Sequence, residues 1–301
     1  MNHKTGIPKS TLALAVTVSL IWGFSFVATD ILLEAFEPVQ ILLLRWLAAA
    51  LLYLVFVIRG KIRFNFRGKT LRWIILTAVA EPCLYAIFET YGVKLTSPSI
   101  SSIFIATIPC MTLITGALFF RGKTTRRGMF GILLAFAGVL ICTVRPSDLS
   151  SGGSPAGYLI LFATVLAGAL YTHFSARAGK DYPPMSVTAF MSFCAVPWFG
   201  FLNHAMGYGL STFRTFFSSP KLIAGVLFLG IFCSAVCYQG YNKVLQVTED
   251  TAVASSLIAN LVTVFGVIAG ILVRHDAFGW YTPVGLVITL AGVAVSSQES
   301  R

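Results

Sequence analysis

Two carboxylates, Glu81 and Glu89, lie inside a stretch from Trp73 to Val93 that is otherwise almost wholly apolar. Placing an ionised carboxylate at membrane depth costs on the order of 2.5 to 3.5 kcal/mol on insertion scales, so such a group is a functional candidate by default. Eight residues apart on a helix, the two project within about 80° of each other with Tyr85 between them, and so can line one cavity wall. Glu81 lies about 12 Å from the start of its stretch, near the midplane, and Glu89 about two turns further on. Arg45 falls about six residues into the preceding stretch, which runs the opposite way, so its depth resembles that of Glu89. Glu89 therefore has two readings, a structural ion pair with Arg45 or substrate and proton handling. Glu81 has no Lys or Arg at its depth in the sequence, and its reading is substrate binding or reversible proton exchange.

Polar and aromatic residues at similar depth could shape a binding site around these acids: Trp22, Ser25, Tyr85, Ser102, Tyr171, Tyr238, Gln239 and Asn260. Taken singly, such residues more often pack or bond between helices. An aromatic lining with one or two carboxylates suits an amphipathic or cationic ligand through cation–π contact. His173 reads as a packing or interfacial histidine. Paired with Ser25 it would make a serine–histidine dyad, but the two are expected at different depths, and the chain has no H-E-x-x-H and no Gly-x-x-x-x-Gly-Lys-Ser/Thr loop. No enzyme, catalytic residue, cofactor or metal is expected. Six cysteines (Cys83, Cys110, Cys142, Cys194, Cys233 and Cys237) all fall in apolar runs, where a thiol packs as a small hydrophobe; Cys233 and Cys237 share a helix face without a His nearby.

The elements that must hold these groups are ten runs of roughly 17 to 23 apolar residues, each about long enough to cross a 30 Å hydrocarbon core as a helix. They are Thr11 to Ile31, Val39 to Ile58, Trp73 to Val93, Ser99 to Phe120, Gly128 to Val144, Gly157 to Ala176, Met185 to Met206, Leu222 to Tyr241, Thr251 to Val273 and Phe278 to Ser297. The fold class is an all-α integral membrane protein. Its 56% hydrophobic and 11% charged residues, with a mean hydropathy of +0.83, contrast with the roughly 25% charge of soluble chains. The first run has no clear cleavage site and reads as a retained helix. Of the 22 Lys and Arg, sixteen fall in alternate connections and the ends, from Lys4 through Arg59–Arg72 and Arg121–Arg127 to Arg301, against five on the other side. That asymmetry puts both termini in the cytoplasm of a multi-pass protein of the cell's inner, plasma membrane. The net charge of +11 is thus explained by topology and membrane lipids, with no nucleic acid as partner.

The chain also matches itself. Gly131-Ile-Leu-Leu-Ala-Phe-Ala-Gly138-Val139 aligns with Gly285-Leu-Val-Ile-Thr-Leu-Ala-Gly292-Val293 without a gap, Lys94 to Ser102 aligns with Gln246 to Ala254, and Gly23 with Gly168. The reading is ten transmembrane helices as two five-helix repeats, 1–147 and 157–301, joined by a flexible connector at 148–156. Five being odd, the second repeat is inverted. Inverted repeats give two near-equivalent packings, one open to each side, which is what a transporter requires. Gly131 with Gly138, Gly285 with Gly292, and Gly266 with Gly270 give flat surfaces for close helix approach. A channel or lipid-scrambling protein is the alternative.

These residues resemble the EamA-type permeases of the drug/metabolite transporter superfamily over roughly residues 10 to 297. The matches are Trp22-Gly23-Phe-Ser25, Arg45-Trp-Leu-Ala-Ala, Tyr85 to Ser97, Ile108-Pro109 and the Ala-Gly-Val ends of the fifth and tenth runs. The resemblance implies a central cavity lined mainly by helices 1, 3, 4, 6, 8 and 9, alternating access, and small-metabolite or amino-acid substrates, often exported. The expected partners are a small-molecule substrate and membrane lipids, with the chain a monomer or homodimer. Phe120-Arg121-Gly122-Lys123 and Val273-Arg274-His275-Asp276 depart from the family's Gly-Glu ends, and Asn260-Leu261 replaces a mid-helix proline.

Overall fold

A computed structural model describes residues 8–68, 70–120, 126–143, 154–248, 251–275 and 279–297. Among the described residues ten long helices follow in order: α1 (Lys9–Leu32), α2 (Pro38–Ile58), α3 (Leu71–Leu95), α4 (Pro98–Phe119), α5 (Arg126–Thr143), α6 (Pro155–Ala178), α7 (Pro184–Ala205), α8 (Pro220–Val247), α9 (Thr251–Arg274) and α10 (Tyr281–Ser297). A short helix, Ser211–Phe216, sits between α7 and α8, and the described residues contain no strand. Among the described residues eight of these helices are long and apolar enough to cross a membrane; α5 and α10, at 18 and 17 residues, are the two shorter ones. The connector up to residue 153, Arg121 to Lys123, Asp276 and the side chain of Cys142 lie outside the described residues.

Local chemistry sets the helix starts. Five helices, α2, α4, α6, α7 and α8, open with proline in the first turn, where a missing N–H loses nothing. Ser97, Ser154 and Ser219 cap three of them through their hydroxyls, and Glu37 with Gln40 forms a capping box on α2. Side chains as large as Leu133, Leu159, Leu272 and Val287 stay exposed around the bundle, as a protein solvated by lipid allows.

The packing is paired. α5 lies against α10, α2 against α7, and α4 against α9, each matching one repeat with its own counterpart; α1 on α9 is mirrored by α6 on α4, and α1 on α8 by α6 on α3. At the α5–α10 crossing a Cβ on Gly138 would lie 2.4 Å from the Thr289 amide, and one on Gly292 would lie 2.3 Å from that of Ala135. These backbones touch because both positions are glycine. The third helix of each repeat widens into a π-helical segment, Val79–Leu84 in α3 and Phe228–Cys237 in α8. At Glu81 the α3 backbone is extended (φ −142°, ψ 121°), so the helix is broken where the first acid sits.

Acidic and basic groups gather at one end of the bundle. There Arg274 bridges Asp30 at 2.5 Å and Glu34 at 2.7 Å, tying α9 to α1, and Lys94 pairs with Glu37. At the opposite end Arg177 of α6 stacks 4.1 Å over Phe120 and 5.2 Å over Trp73, whose ring also carries Arg72 at 4.1 Å.

Candidate functional site

The break in α3 turns Glu81 into a cavity between the two halves. It is fully buried, its Oε1 accepts from the Tyr238 hydroxyl of α8, and its Oε2 is buried without a hydrogen-bond partner. Glu89, two turns on, accepts from the Tyr85 hydroxyl at 3.3 Å and faces the Arg45 guanidinium at 3.9 Å, a contact at the outer limit of an ion pair. Arg45 is held from its other side, its Nε donating to Ser234 Oγ at 2.9 Å. Sequence reasoning left Glu81 without a cation; the structure corrects this, because Arg45 lines the same cavity as both acids. A long side chain on a neighbouring helix can span a depth difference that residue counting treats as a separation.

Aromatic rings close the rest of the wall. Trp22 lies 5.0 Å from Tyr238 and 5.6 Å from Tyr241, and Tyr171 lies 5.8 Å from each of those tyrosines, stacked on Tyr241. The Trp22 indole donates to the Cys233 carbonyl at 3.1 Å, an acceptor inside the π-helical segment of α8. A buried polar chain fixes the tyrosines: Tyr171 donates to Asn242 at 2.7 Å, Asn242 to Thr188 at 2.9 Å, and Thr172 lies 3.0 Å from the Tyr241 hydroxyl. The free space at its centre is about 60 Å³.

Of the residues singled out from sequence, Trp22, Ser25, Glu81, Tyr85, Glu89, Tyr171 and Tyr238 come together around this cavity, and α2 joins its walls through Arg45. Ser102 and Asn260 do not. Ser102 bonds back to the Ser99 carbonyl at 2.8 Å, while its own carbonyl accepts from Thr263 of α9 and its Cβ lies against Gly266; it belongs to the α4–α9 seam. Asn260 reaches along its own helix to Ser256 at 3.3 Å and lies outside the lining. Gln239 is drawn away to Tyr53. His173 packs on Phe120 at 4.4 Å and bonds the Thr112 carbonyl, and Ser25 bonds the Trp22 carbonyl, so the two never meet. The sulfurs of Cys233 and Cys237 rest against α1, at 4.0 Å and 3.8 Å from the Ile21 and Val18 carbonyls. Sequence reasoning missed Thr172, Tyr241 and Ser255 in the lining. Tyr241 was findable, three residues after Tyr238 and thus on the same face.

The model of the EamA-like transporter family matches twice, over residues 9–144 and 155–298. The chain belongs to that family. Among curated relatives, an uncharacterized transporter of Archaeoglobus fulgidus is 27% identical over 95% of this chain and 98% of its own length. The uncharacterized transporter YcxC of Bacillus subtilis is 25% identical over 94% and 91%. UDP-xylose transporter 2 of Arabidopsis thaliana is 24% identical over 64% of this chain and 54% of itself. A solved crystal structure with 15% identity superposes with a TM-score of 0.68 over 96% of this chain and 97% of its own, which shows the fold. This EamA-like protein is thus a multi-pass membrane transporter of the drug/metabolite transporter superfamily, built from two copies of one unit.

Proposed function

We propose that this EamA-like protein is an alternating-access secondary transporter that exports small amine-bearing amphipathic metabolites, amino acids foremost, and exchanges a proton at Glu81. One observation carries the reading: inside walls of Trp22, Tyr85, Tyr171, Tyr238 and Tyr241, two carboxylates face a single guanidinium. With both acids ionised, the cavity is one positive charge short, and an ammonium group or a proton supplies it. Aromatic faces bind the same kind of cation, while Arg45 can take the carboxylate of a zwitterion. A nucleotide sugar, the cargo named for the plant relatives, brings a negatively charged diphosphate into a site with one cation and two acids, a mismatch of sign.

Within the same proposal the chain makes ten crossings as two inverted repeats, 1–147 and 157–301 with 148–156 between them, both termini in the cytoplasm of the plasma membrane. This arrangement is supported by the charge asymmetry of the connections and by the mirrored helix pairs. Counterflow into proteoliposomes tests the function, with amino acids, nucleosides, polyamines and quaternary amines as the panel. Saturable accumulation of an amine-bearing solute, abolished or made pH-independent in Glu81→Gln, is expected. Non-saturable flux would turn the reading to a channel or a lipid scramblase, and saturable flux of a nucleotide sugar would refute the cation chemistry.

A further inference from the structure

A second cavity lies on another face of α2, between that helix and α8, and measures about 520 Å³, within the roughly 300 to 1,000 Å³ of small-molecule pockets. Its wall is wholly apolar, with Leu44, Leu51 and Val55 along α2, Leu227 and Ile231 on α8, and Phe216 of the short helix. From Leu44 to Val55 the slot follows α2 for about 16 Å, close to the roughly 15 Å of hydrocarbon in one leaflet.

The short helix Ser211–Phe216 is anchored in place. Gln40 of α2 donates to Thr212 at 2.9 Å, Thr212 to Asn203 of α7 at 2.9 Å, and Asn203 to the Gly209 carbonyl at 3.2 Å. All three side chains are buried, so a chain of polar contacts fixes the phenylalanines of this segment against the slot. The same segment carries Arg214, and the first turn of α8 carries Lys221. Both are exposed, and among the described residues neither has a carboxylate within 4.0 Å.

We propose that this slot is a phospholipid site: one acyl chain lies between α2 and α8, and the lipid phosphate rests on Arg214 and Lys221. Unpaired cations beside an apolar slot one leaflet long match the phosphate and the chain of a lipid together. A second copy of the protein would answer the apolar wall alone. The seated chain touches Leu44, next in sequence to Arg45 of the cavity wall, so the lipid bears on the helix that positions the guanidinium.

The full chain, reconstituted with a trace of phosphatidylglycerol bearing a diazirine acyl chain, tests this after photolysis and peptide mass spectrometry. Adducts should concentrate on residues 44–55 and 226–231. The double variant Arg214→Gln/Lys221→Gln, which removes two exposed groups, should lose them by about 25-fold, each cation near an anionic surface being worth about a fivefold factor. Adducts on Leu133 and Leu140 of α5 should not change. Labelling spread in proportion to exposure, or unaltered in the double variant, would overturn the proposal. So would a groove free of adducts with Leu51→Cys cross-linking between copies, which would make the face a contact between protomers.

Discussion

Removing Arg45 should destabilise the protein more than removing its partner, and removing both should cost no more than removing Arg45. At 3.9 Å the attraction between Arg45 and Glu89 is about 4 kcal/mol at an effective dielectric of about 20. Arg45→Ala leaves Glu89 and Glu81 in one cavity with no counter-charge and strips Ser234 of its bond, for a loss of about 4 kcal/mol, within the range for breaking a buried pair. Glu89→Gln costs less, about 2 kcal/mol, because Arg45 retains Ser234 and shares the cavity with Glu81. In the double variant the unpaired charge at 89 is gone, so the loss stays near 4 rather than 6 kcal/mol, a coupling of about 2 kcal/mol. At about 2 to 4 °C per kcal/mol for chains approaching this size, thermal melts in detergent should show the Arg45→Ala and double-variant midpoints falling together by roughly 8 to 16 °C. A double variant that melts at the sum of the two single losses would refute the pair and leave 3.9 Å as mere proximity.

Glu81→Gln should keep the wild-type melting temperature within a few degrees, since the amide oxygen of the introduced glutamine can still accept from Tyr238, yet abolish substrate counterflow or remove its pH dependence; wild-type flux with unchanged pH dependence would make the carboxylate incidental. Gly292→Ala should cost about 1 to 3 kcal/mol because its Cβ meets the Ala135 backbone, whereas Gly200→Ala, with nothing within 4 Å, should be neutral or stabilising by up to about 1 kcal/mol; equal melts for the two would deny the close α5–α10 approach. Both Asn65 and Ser218 are exposed, and on a cysteine-free background an impermeant thiol reagent should label Ser218→Cys in intact cells but Asn65→Cys only after permeabilisation. The opposite pattern would invert the orientation drawn from the charges.

Helix positions were legible because hydrocarbon imposes a minimum apolar length: the run Thr11 to Ile31 lies inside α1, and Val39 to Ile58 nearly coincides with α2. The acids were legible for the same reason, since a buried carboxylate stands out against such a background. Which face a small polar residue turned to was not. Ser102 sat at plausible depth, but a serine opposite a glycine, here Gly266, marks a seam between helices. Asn260 turns its amide nitrogen to Ser256 of its own helix, and depth alone cannot show that. The extended backbone at Glu81 was out of reach as well. Pro82 signals a disturbance without saying that the residue before it leaves the helix, and the eight-residue spacing of Glu81 and Glu89 was read on an ideal helix that the chain does not follow.

The two wide turns have an origin that can be traced by subtraction. In α3 the wide turn contains Pro82, and proline alone would be reason enough. Its counterpart in α8, FLGIFCSAVC, holds no proline and spreads over ten residues instead of six. A residue present in one half cannot be the common cause of a distortion present in both. What the halves share is position, the third helix of a five-helix unit pressed against the opposite unit, as at Gly230, where a Cβ would stand 2.6 Å from the Arg45 carbonyl. A wide turn at this place is therefore common to α3 and α8, with a proline in one and without it in the other. What α3 adds to the wide turn is the extended residue Glu81 directly before Pro82, a break that the α8 segment does not have, and it is this break that opens the backbone at the acid.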